Sequence, residues 1–419
     1  MHKPFVVRVK LFAVRFIIFL GNSILRSAER VLFRSASSSR NILIYKIGNI
    51  GDIVCAAPAL IAIRRNFPEA KITLLTSPGK RGAPGAKELL AGAWYIDELK
   101  VYYADDIDTA SRKQKFIKAL KQNHYDLFIQ LPDDLASFQT LLRNALFAKA
   151  IGAKSAIGFR MRTIQLFKKA QVDFSTQETE TESLLDLLRL YGIKADRVEF
   201  DFTPTPKSSV WKDENEWQKN AKRKSESHRG ESVVWGFTVP LEEKRAVADI
   251  LQTMKMEKGE LLVAMTPGGK RAGNQWPLER FREVAEYLKE KHGAKIVILG
   301  GKDDVPKAGL ITKNIPDALC AAGELSFLGT FELLKSCSFL ISNSTGTIHL
   351  GAAAHIPTIG LYTIRDVFGR WFPFGDNHIL LKHAFLDCDY REEECIEQSL
   401  KRISVEEVIA ACDTMISIA

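Results

Sequence analysis

Cysteine is scarce in this sequence, and its spacing is wrong for a metal site. Six cysteines occur among 419 residues, and no two are separated by two residues, as paired zinc ligands commonly are. Neither the GxGxxG dinucleotide fingerprint nor the phosphate loop of nucleoside triphosphatases is present. With 46% hydrophobic residues, the chain is too apolar for a disordered protein and too long for a disulfide scaffold. We therefore expect a globular protein without a metal site.

Acidic residues are almost absent from the first forty positions. Eight Lys or Arg residues oppose a single acid, Glu29, so this segment carries +7 of the chain's net charge of +9. A helical repeat of 3.6 residues gathers one polar set on a common face: Arg8, Arg15, Asn22, Arg26, Glu29 and Arg30. The large apolar residues fall mostly elsewhere on the helix: Phe12, Phe16, Phe19, Leu20 and Leu25. The pattern predicts a basic amphipathic helix.

We expect residues 1–34 to lie on an anionic membrane surface, with the apolar side in the lipid and the arginines at the headgroups. A helix packed on the protein's own body is the alternative. The apolar run Leu11–Leu20 is interrupted by Arg15 and is about half as long as a membrane span, and no small-residue cleavage site closes it. Because the rest of the chain carries only +2, we expect no nucleic-acid partner.

Beyond a serine-rich linker at Ser35–Ser39, short apolar runs alternate with helical patterns. The first strand is expected at Ile42–Tyr45, followed by a glycine turn and a helix that ends near Pro68. Further strands are expected at Lys71–Thr76, Tyr95–Tyr102 and Tyr125–Leu131, then at Leu261–Thr266, Lys295–Gly300, Phe339–Ser342 and Thr358–Tyr362. Such alternation is typical of parallel α/β sheets covered by helices.

The expected domain boundaries lie where this regularity stops. A membrane-associating segment and linker occupy 1–40, an N-terminal α/β domain occupies 41–205, and a charged insertion with an interdomain linker occupies 206–258. A second α/β domain is expected at 259–385 and a C-terminal tail helix at 386–419. Two such domains imply a cleft between them, with ligands bound beyond the carboxyl ends of the strands.

Three turns in the second half follow strands and offer anion-binding groups. Thr266–Arg271 has two glycines, which let backbone amides approach an anion, and then two cations. Gly300–Asp304 ends in acids that suit either ribose hydroxyls or a helix N-terminus. Ser342–Thr347 leads into a helix whose free amides and hydroxyls form an anion site, with His349 in its first turn. Together these turns indicate a phosphate-bearing ligand.

Longer motifs in the chain resemble glycosyltransferase family 9, the heptosyltransferases of lipopolysaccharide core assembly. The resemblance begins at Asn41 and covers most of the remaining chain. It is carried by ILIYKIGNIGDIVCAAPALIAIRRNFPEAKITLL at Ile42–Leu75, TPGGKRAGNQWPLERF at Thr266–Phe281, GGKDD, SNSTGTIHLGAAAHIPTIGLY and the C-terminal CIEQSLKRISVEEVI. The order and spacing of these motifs over more than 300 residues make the resemblance specific.

The resemblance implies a GT-B fold, in which one Rossmann-like domain binds the acceptor and the other the nucleotide-sugar across a central cleft. It also implies an inverting transfer that needs no bound metal. We expect a peripheral enzyme at the cytoplasmic face of the inner membrane that moves heptose from ADP-heptose to a lipid-linked lipopolysaccharide core acceptor. ADP-heptose is then a co-substrate, and no cofactor is expected.

The resemblance assigns individual roles as well. Asp52 would take a proton from the acceptor hydroxyl, whereas a helix N-cap is the structural alternative for an Asp at this turn. Lys46 and Gly51 are expected to contact the acceptor, Lys46 by holding an anionic core sugar. The expected donor contacts are Thr266, Gly268, Lys270, Arg271, Asn274, Asp304, Leu325, Ser344, Thr345, Gly346 and His349. Of these, Asp304 matches the ribose-binding acid, Leu325 falls near the position that lines the base pocket, and Thr345, Gly346 and His349 match the pyrophosphate-binding turn and helix.

Two positions depart from the family's pattern. Asn274 stands where many members carry a Lys that balances the leaving diphosphate, and Lys270 or Arg271 could replace that charge from the same loop. Ser344 replaces the acid of the usual Asp-Thr-Gly. These changes support an alternative, in which the chain is a catalytically weakened protein that binds nucleotide or glycan as a regulator or scaffold. A nucleoside-diphosphate-sugar epimerase is disfavoured because no GxGxxG opens the chain.

Overall fold

The computed structural model describes residues 3–33, 39–133, 136–162, 178–195, 235–269, 271–366, 369–375, 377–383 and 393–418. Lys270 and most of the expected charged insertion, up to position 234, lie outside the described residues. The chain forms two compact units. The described part of the first falls within Met1–Val198 and Trp235–Thr238, and that of the second within Val239–Ala419.

The first unit carries helices α1 to α6 and strands β1 to β5. Its helices are α1 (Lys3–Leu32), α2 (Ile50–Asn66), α3 (Ala86–Leu90), α4 (Ala110–Lys121), α5 (Phe138–Ala150) and α6 (Glu180–Leu190). Its strands are β1 (Asn41–Tyr45), β2 (Lys71–Thr76), β3 (Glu98–Val101), β4 (Leu127–Gln130) and β5 (Ser155–Ile157).

The second unit carries helices α7 to α13 and strands β6 to β11. Its helices are α7 (Leu241–Thr253), α8 (Leu278–His292), α9 (Val305–Thr312), α10 (Phe327–Leu334), α11 (Gly346–Ala353), α12 (Glu393–Lys401) and α13 (Val405–Ile418). Its strands are β6 (Leu262–Thr266), β7 (Lys295–Ile298), β8 (Ala318–Cys320), β9 (Phe339–Asn343), β10 (Thr358–Tyr362) and β11 (His378–Lys382).

Each unit is built on a parallel sheet with a reversal in its strand order. The first sheet runs β3-β2-β1-β4-β5 and the second β11-β10-β9-β6-β7-β8. The order of the second, counted from its own first strand, is that of the Rossmann fold. The order reverses between β1 and β4 and between β6 and β9, where Thr266 pairs with Ser342. Open sheets bind ligands beyond the carboxyl ends of the strands at such points.

All eight strands expected from the sequence are present; seven of them form the middle of the two sheets, and β3 lies at an edge of the first. Strands β1, β6 and β9 are buried almost completely because helices cover both faces of a parallel sheet, which explains their continuous apolar runs. Strands β5, β8 and β11 were not predicted. All three lie at sheet edges, and two of them have only three residues, too few to show a periodic pattern.

Helix α1 packs on the first unit along one stripe. Leu25 is buried there with Ala136 and Leu141, and Gly21 lies so close to Met161 that a Cβ would come 2.5 Å from its sulfur. This stripe agrees with the alternative that the helix packs on the protein's own body. The faces of α1 that point away from this stripe are exposed to solvent. No helix in the described part of the chain is long and apolar enough to cross a membrane.

Candidate functional site

The turn between β1 and α2 brings Asp52 into the first turn of α2. Its Oδ2 accepts a hydrogen bond from the backbone N–H of Asn49 at 2.9 Å. Gly48 has a φ of +152°, and a Cβ at this position would lie 2.3 Å from the Cβ of Asp52. A side chain at position 48 would therefore clash as well as strain the backbone. Asp52 caps α2, yet it is still partly exposed, so capping and catalysis are compatible.

A buried cluster of charges lies in the same unit. Glu180, the first residue of α6, accepts hydrogen bonds from both terminal nitrogens of Arg162 at 2.7 Å. Lys46 Nζ lies 3.6 Å from Oε1 of Glu180, and both side chains are fully buried. Two cations thus share one carboxylate in a low-dielectric surrounding, where such contacts are strong and an unpaired member is costly.

The charges of this cluster affect the pKa of Asp52. Burial raises the pKa of the Asp52 carboxyl, while Lys46 and the Asn49 amide counteract part of the increase. Glu180 and Asp133 raise the pKa further because they are negative charges. A carboxylate with a raised pKa holds a proton more tightly than an exposed Asp does, which makes it a stronger general base.

The two expected acceptor contacts, Lys46 and Gly51, both precede Asp52 in the sequence. Gly51 is in the first turn of α2 and partly exposed. Lys46 is fully buried, and its ammonium has no hydrogen bond among the described residues. Neither Glu180 nor Arg162 could be recognised as a candidate from the sequence alone. Glu180 looks like an ordinary acid at a helix start, and only the fold brings it to Lys46.

In the second unit, β6 and β9 bring the first and third predicted turns together. Thr266 Oγ1 donates to Ser342 Oγ at 2.5 Å. Asn343 is fully buried; its Nδ2 donates to the Pro267 carbonyl at 2.8 Å, and its Oδ1 accepts the backbone N–H of Trp276 at 3.1 Å. Asn343, which sequence reasoning had not singled out, therefore holds both ends of the loop that contains the two glycines.

The second predicted turn folds over the first. A Cβ on Gly268 would lie 2.4 Å from Oδ2 of Asp304, so glycine is needed for this approach. Asp304 Oδ2 accepts the backbone N–H of Gly301 at 3.1 Å, and Oδ1 accepts from Lys307 Nζ at 2.7 Å. These are the contacts of a helix-start carboxylate, and ribose binding by Asp304 stays a prediction.

The third turn ends at the N-terminus of α11. Thr345 is the N-cap and Gly346 the first helical residue, and both are partly exposed. Thr345 Oγ1 is buried and lacks a hydrogen bond to the part of the chain that the structure describes. His349 is buried and meets Trp371 edge-on at 6.0 Å between ring centroids. The first amides of an α-helix have no intrahelical acceptor, so this end can bind an anion.

Ser344 is paired with a carboxylate from another loop. Its Oγ donates to Oδ1 of Asp366 at 3.2 Å. Asp366 Oδ2 also accepts from the backbone N–H and the hydroxyl of Thr363 at 2.9 and 3.0 Å. A carboxylate therefore lies beside position 344 although the chain has Ser there. The sequence alone could not reveal this, because Asp366 follows a different strand.

The remaining candidates lie apart from these contacts. Arg271 is exposed, Leu325 is partly exposed just before α10, and Lys270 lies outside the described residues. Asn274 Oδ1 is buried without a hydrogen bond to any described residue. In the described ranges, no three His, Cys, Asp or Glu side chains are grouped so that they could hold a metal ion.

Comparison with known sequences identifies relatives over most of the chain. Residues 113–401 match the sequence model of glycosyltransferase family 9 (heptosyltransferase). Lipopolysaccharide heptosyltransferase 3 of Escherichia coli is 22% identical over 381 residues, which is 87% of this chain and 96% of that protein.

Solved structures share the fold. A family 9 glycosyl transferase from Veillonella parvula superposes with a TM-score of 0.66 at 18% identity, covering 91% of this chain and 98% of that one. An E. coli heptosyltransferase with ADP-2-deoxy-2-fluoro heptose superposes with a TM-score of 0.56 at 16% identity, covering 89% and 99%.

Proposed function

The chain belongs to glycosyltransferase family 9, and from this membership we propose that it transfers heptose from ADP-heptose to a lipid-linked lipopolysaccharide core acceptor. Its two parallel sheets form the GT-B fold of the heptosyltransferases. The observation that carries the proposal is the Asp52 turn, in which Gly48 makes room for a partly exposed carboxyl whose pKa is raised by burial. The names of the E. coli relatives support the choice of sugar and acceptor.

In the proposed reaction, Asp52 takes the proton from an acceptor hydroxyl. The hydroxyl oxygen bonds to the anomeric carbon of heptose while the bond from that carbon to the diphosphate breaks and ADP leaves. A single displacement of this kind inverts the anomeric carbon. The N-terminal amides of α11 and the hydroxyl of Thr345 bind the departing diphosphate, and Lys270 and Arg271 balance its charge, so that no metal is required.

Lys46 acts in this proposal through Asp52 rather than by touching the sugar. Its complete burial and its pairing with Glu180 support that role. The positive charge of Lys46 lowers the pKa of Asp52 and so favours its ionised form, whereas the negative charge of Glu180 raises that pKa. The two charges therefore shift the pKa of the base in opposite directions.

We place the enzyme at the cytoplasmic face of the inner membrane, as a peripheral protein bound through residues 1–34. The support is the +7 charge of the first forty residues and the exposure of Phe12, Phe16 and Phe19 on α1. An enzyme bound at that surface would encounter its lipid-linked acceptor there.

The test compares wild type with Asp52→Asn in an assay of ADP release and of heptose transfer to a truncated lipopolysaccharide core. Loss of a general base is expected to lower kcat about 10²- to 10⁴-fold while ADP still binds. Asp108→Asn, on the surface of the same unit, is the matched control. A wild-type protein that binds ADP-heptose but transfers nothing would instead favour the regulator or scaffold.

A further inference from the structure

Helix α1 presents three different faces. The first packs on the body, with Leu25 at its centre. A second face carries exposed Arg15, Arg26 and Arg30, spaced so that they follow one another along the helix. These three arginines and Arg160, from the loop after β5, line a surface groove of about 560 Å³, which we call the arginine groove.

The arginine groove is held in shape by two polar contacts. Asn22 Oδ1 accepts the backbone N–H of Met161 at 2.7 Å, and its amide donates back to the Met161 carbonyl. Two turns further on, Glu29 Oε1 accepts from the backbone N–H of Phe159 at 3.2 Å and from the Tyr191 hydroxyl at 2.8 Å. Because both neighbours of Arg160 are tied to α1, Arg160 is positioned beside the helical arginines.

Among the residues that the structure describes, the positive charge of this groove is only partly offset. None of the four guanidinium groups has a hydrogen bond or an ion pair to a described residue. Glu29 is the one acid in the sequence of α1; its carboxylate accepts hydrogen bonds from Phe159 and Tyr191 and also interacts with Arg26, so that it offsets only part of the charge of the four arginines. Four like charges that converge from two chain segments repel one another unless an anion is bound between them, and guanidinium groups match phosphate geometry.

The third face of α1 is apolar and exposed beside the groove. Ile18 and Phe19 line the groove itself, and Phe19 is 69% exposed. Phe16, Leu20 and Ile24 continue this surface with about half of each side chain exposed. A ligand for both faces needs a phosphate next to a hydrocarbon chain. A nucleic acid offers phosphates but no hydrocarbon chain for the aliphatic part of this face.

We propose that the arginine groove binds the phosphate headgroup of an anionic bilayer phospholipid while the apolar face of α1 enters the adjoining acyl layer. The inference rests on the proposed membrane location and adds the chemistry of the contact. It makes α1 a docking element with a phosphate site, fixed on the first unit in a defined orientation.

The experiment uses the full-length protein and flotation with vesicles of phosphatidylcholine, with or without phosphatidylglycerol. Each basic residue near an anionic surface contributes about a fivefold change in binding, so Arg26→Gln/Arg30→Gln should weaken binding to the anionic vesicles about 25-fold. Binding to pure phosphatidylcholine should change little. Phe16→Ser should weaken binding to both kinds of vesicle. Arg245→Gln, an exposed arginine of the second unit, is the matched control.

Several outcomes would overturn the proposal: no binding of wild type to anionic vesicles, equal binding by the double arginine variant, or a larger effect on RNA binding than on vesicle binding. Stabilisation of wild type by inorganic phosphate at the concentration that displaces vesicles would point to a free anion instead. Melting curves check that the variants are folded. The arginine variants should transfer heptose to a delipidated acceptor as wild type does. This assay tests the proposed function independently of vesicle binding.

Discussion

Replacing Glu180 with Gln tests the buried charge cluster of the first unit. The substitution preserves shape but removes the carboxylate that contacts Arg162 at 2.7 Å through both oxygens and Lys46 at 3.6 Å. Lys46 and Glu180 are fully buried, and the Arg162 side chain is 6% exposed. Two cations would then remain in the interior without their counter-charge.

Removing one partner of a buried ion pair typically costs about 3–5 kcal/mol, because the other charge stays desolvated. Screening by solvent is negligible at this exposure, so we expect the full range. A domain of about 150–250 residues loses about 2–4 °C of melting temperature per kcal/mol, which gives a decrease of about 6–20 °C.

Thermal denaturation of the full-length protein, with ADP bound and unbound, would measure this loss. Asp108→Asn removes a carboxylate from the exposed pair with Arg112 and should cost only about 0–1 kcal/mol. A loss for Glu180→Gln no larger than that of the control would refute the buried cluster. In an active sample, the acid limb of kcat/KM should also move to lower pH, because a negative charge that raises the pKa of Asp52 has been removed.

Four further substitutions test candidate residues in each of the two units. Lys46→Met removes the main charge that lowers the pKa of Asp52, so the acid limb of kcat/KM should shift to higher pH, opposite to Glu180→Gln. Gly48→Ala should lower both kcat and melting temperature, by about 1–3 kcal/mol or more in stability, because its Cβ would meet Asp52 at 2.3 Å at a positive φ. Asp366→Ala should raise the KM for the nucleotide-sugar and destabilise by about 1–3 kcal/mol, since buried donors lose their acceptor. Ser344→Ala should lower the stability less, by about 0.5–1.5 kcal/mol, because it removes a single hydrogen bond. Equal losses of stability for Asp366→Ala and Ser344→Ala would argue against the hydrogen bonds from Thr363 to Asp366.

Much of the fold could be predicted because it depends on local patterns. The run Lys71–Thr76 and the run Thr358–Tyr362 are strands with the predicted bounds, since buried parallel strands need continuous apolar residues. The Gly48 turn and the N-terminus of α11 were also found where strand, glycine and helix signals follow one another. The edge strand β8 was not predicted, because three residues show no detectable periodicity.

The family, the order of the two α/β units and the concentration of positive charge in the first forty residues could all be predicted without coordinates. These properties depend on composition and on motifs of neighbouring residues. The fold was needed to show that Lys46 is buried against Glu180 and that Asp366 lies beside Ser344. It also decided that Arg160 joins the arginines of α1. Each of these contacts joins residues distant in sequence, and burial and charge pairing depend on which elements the fold brings together.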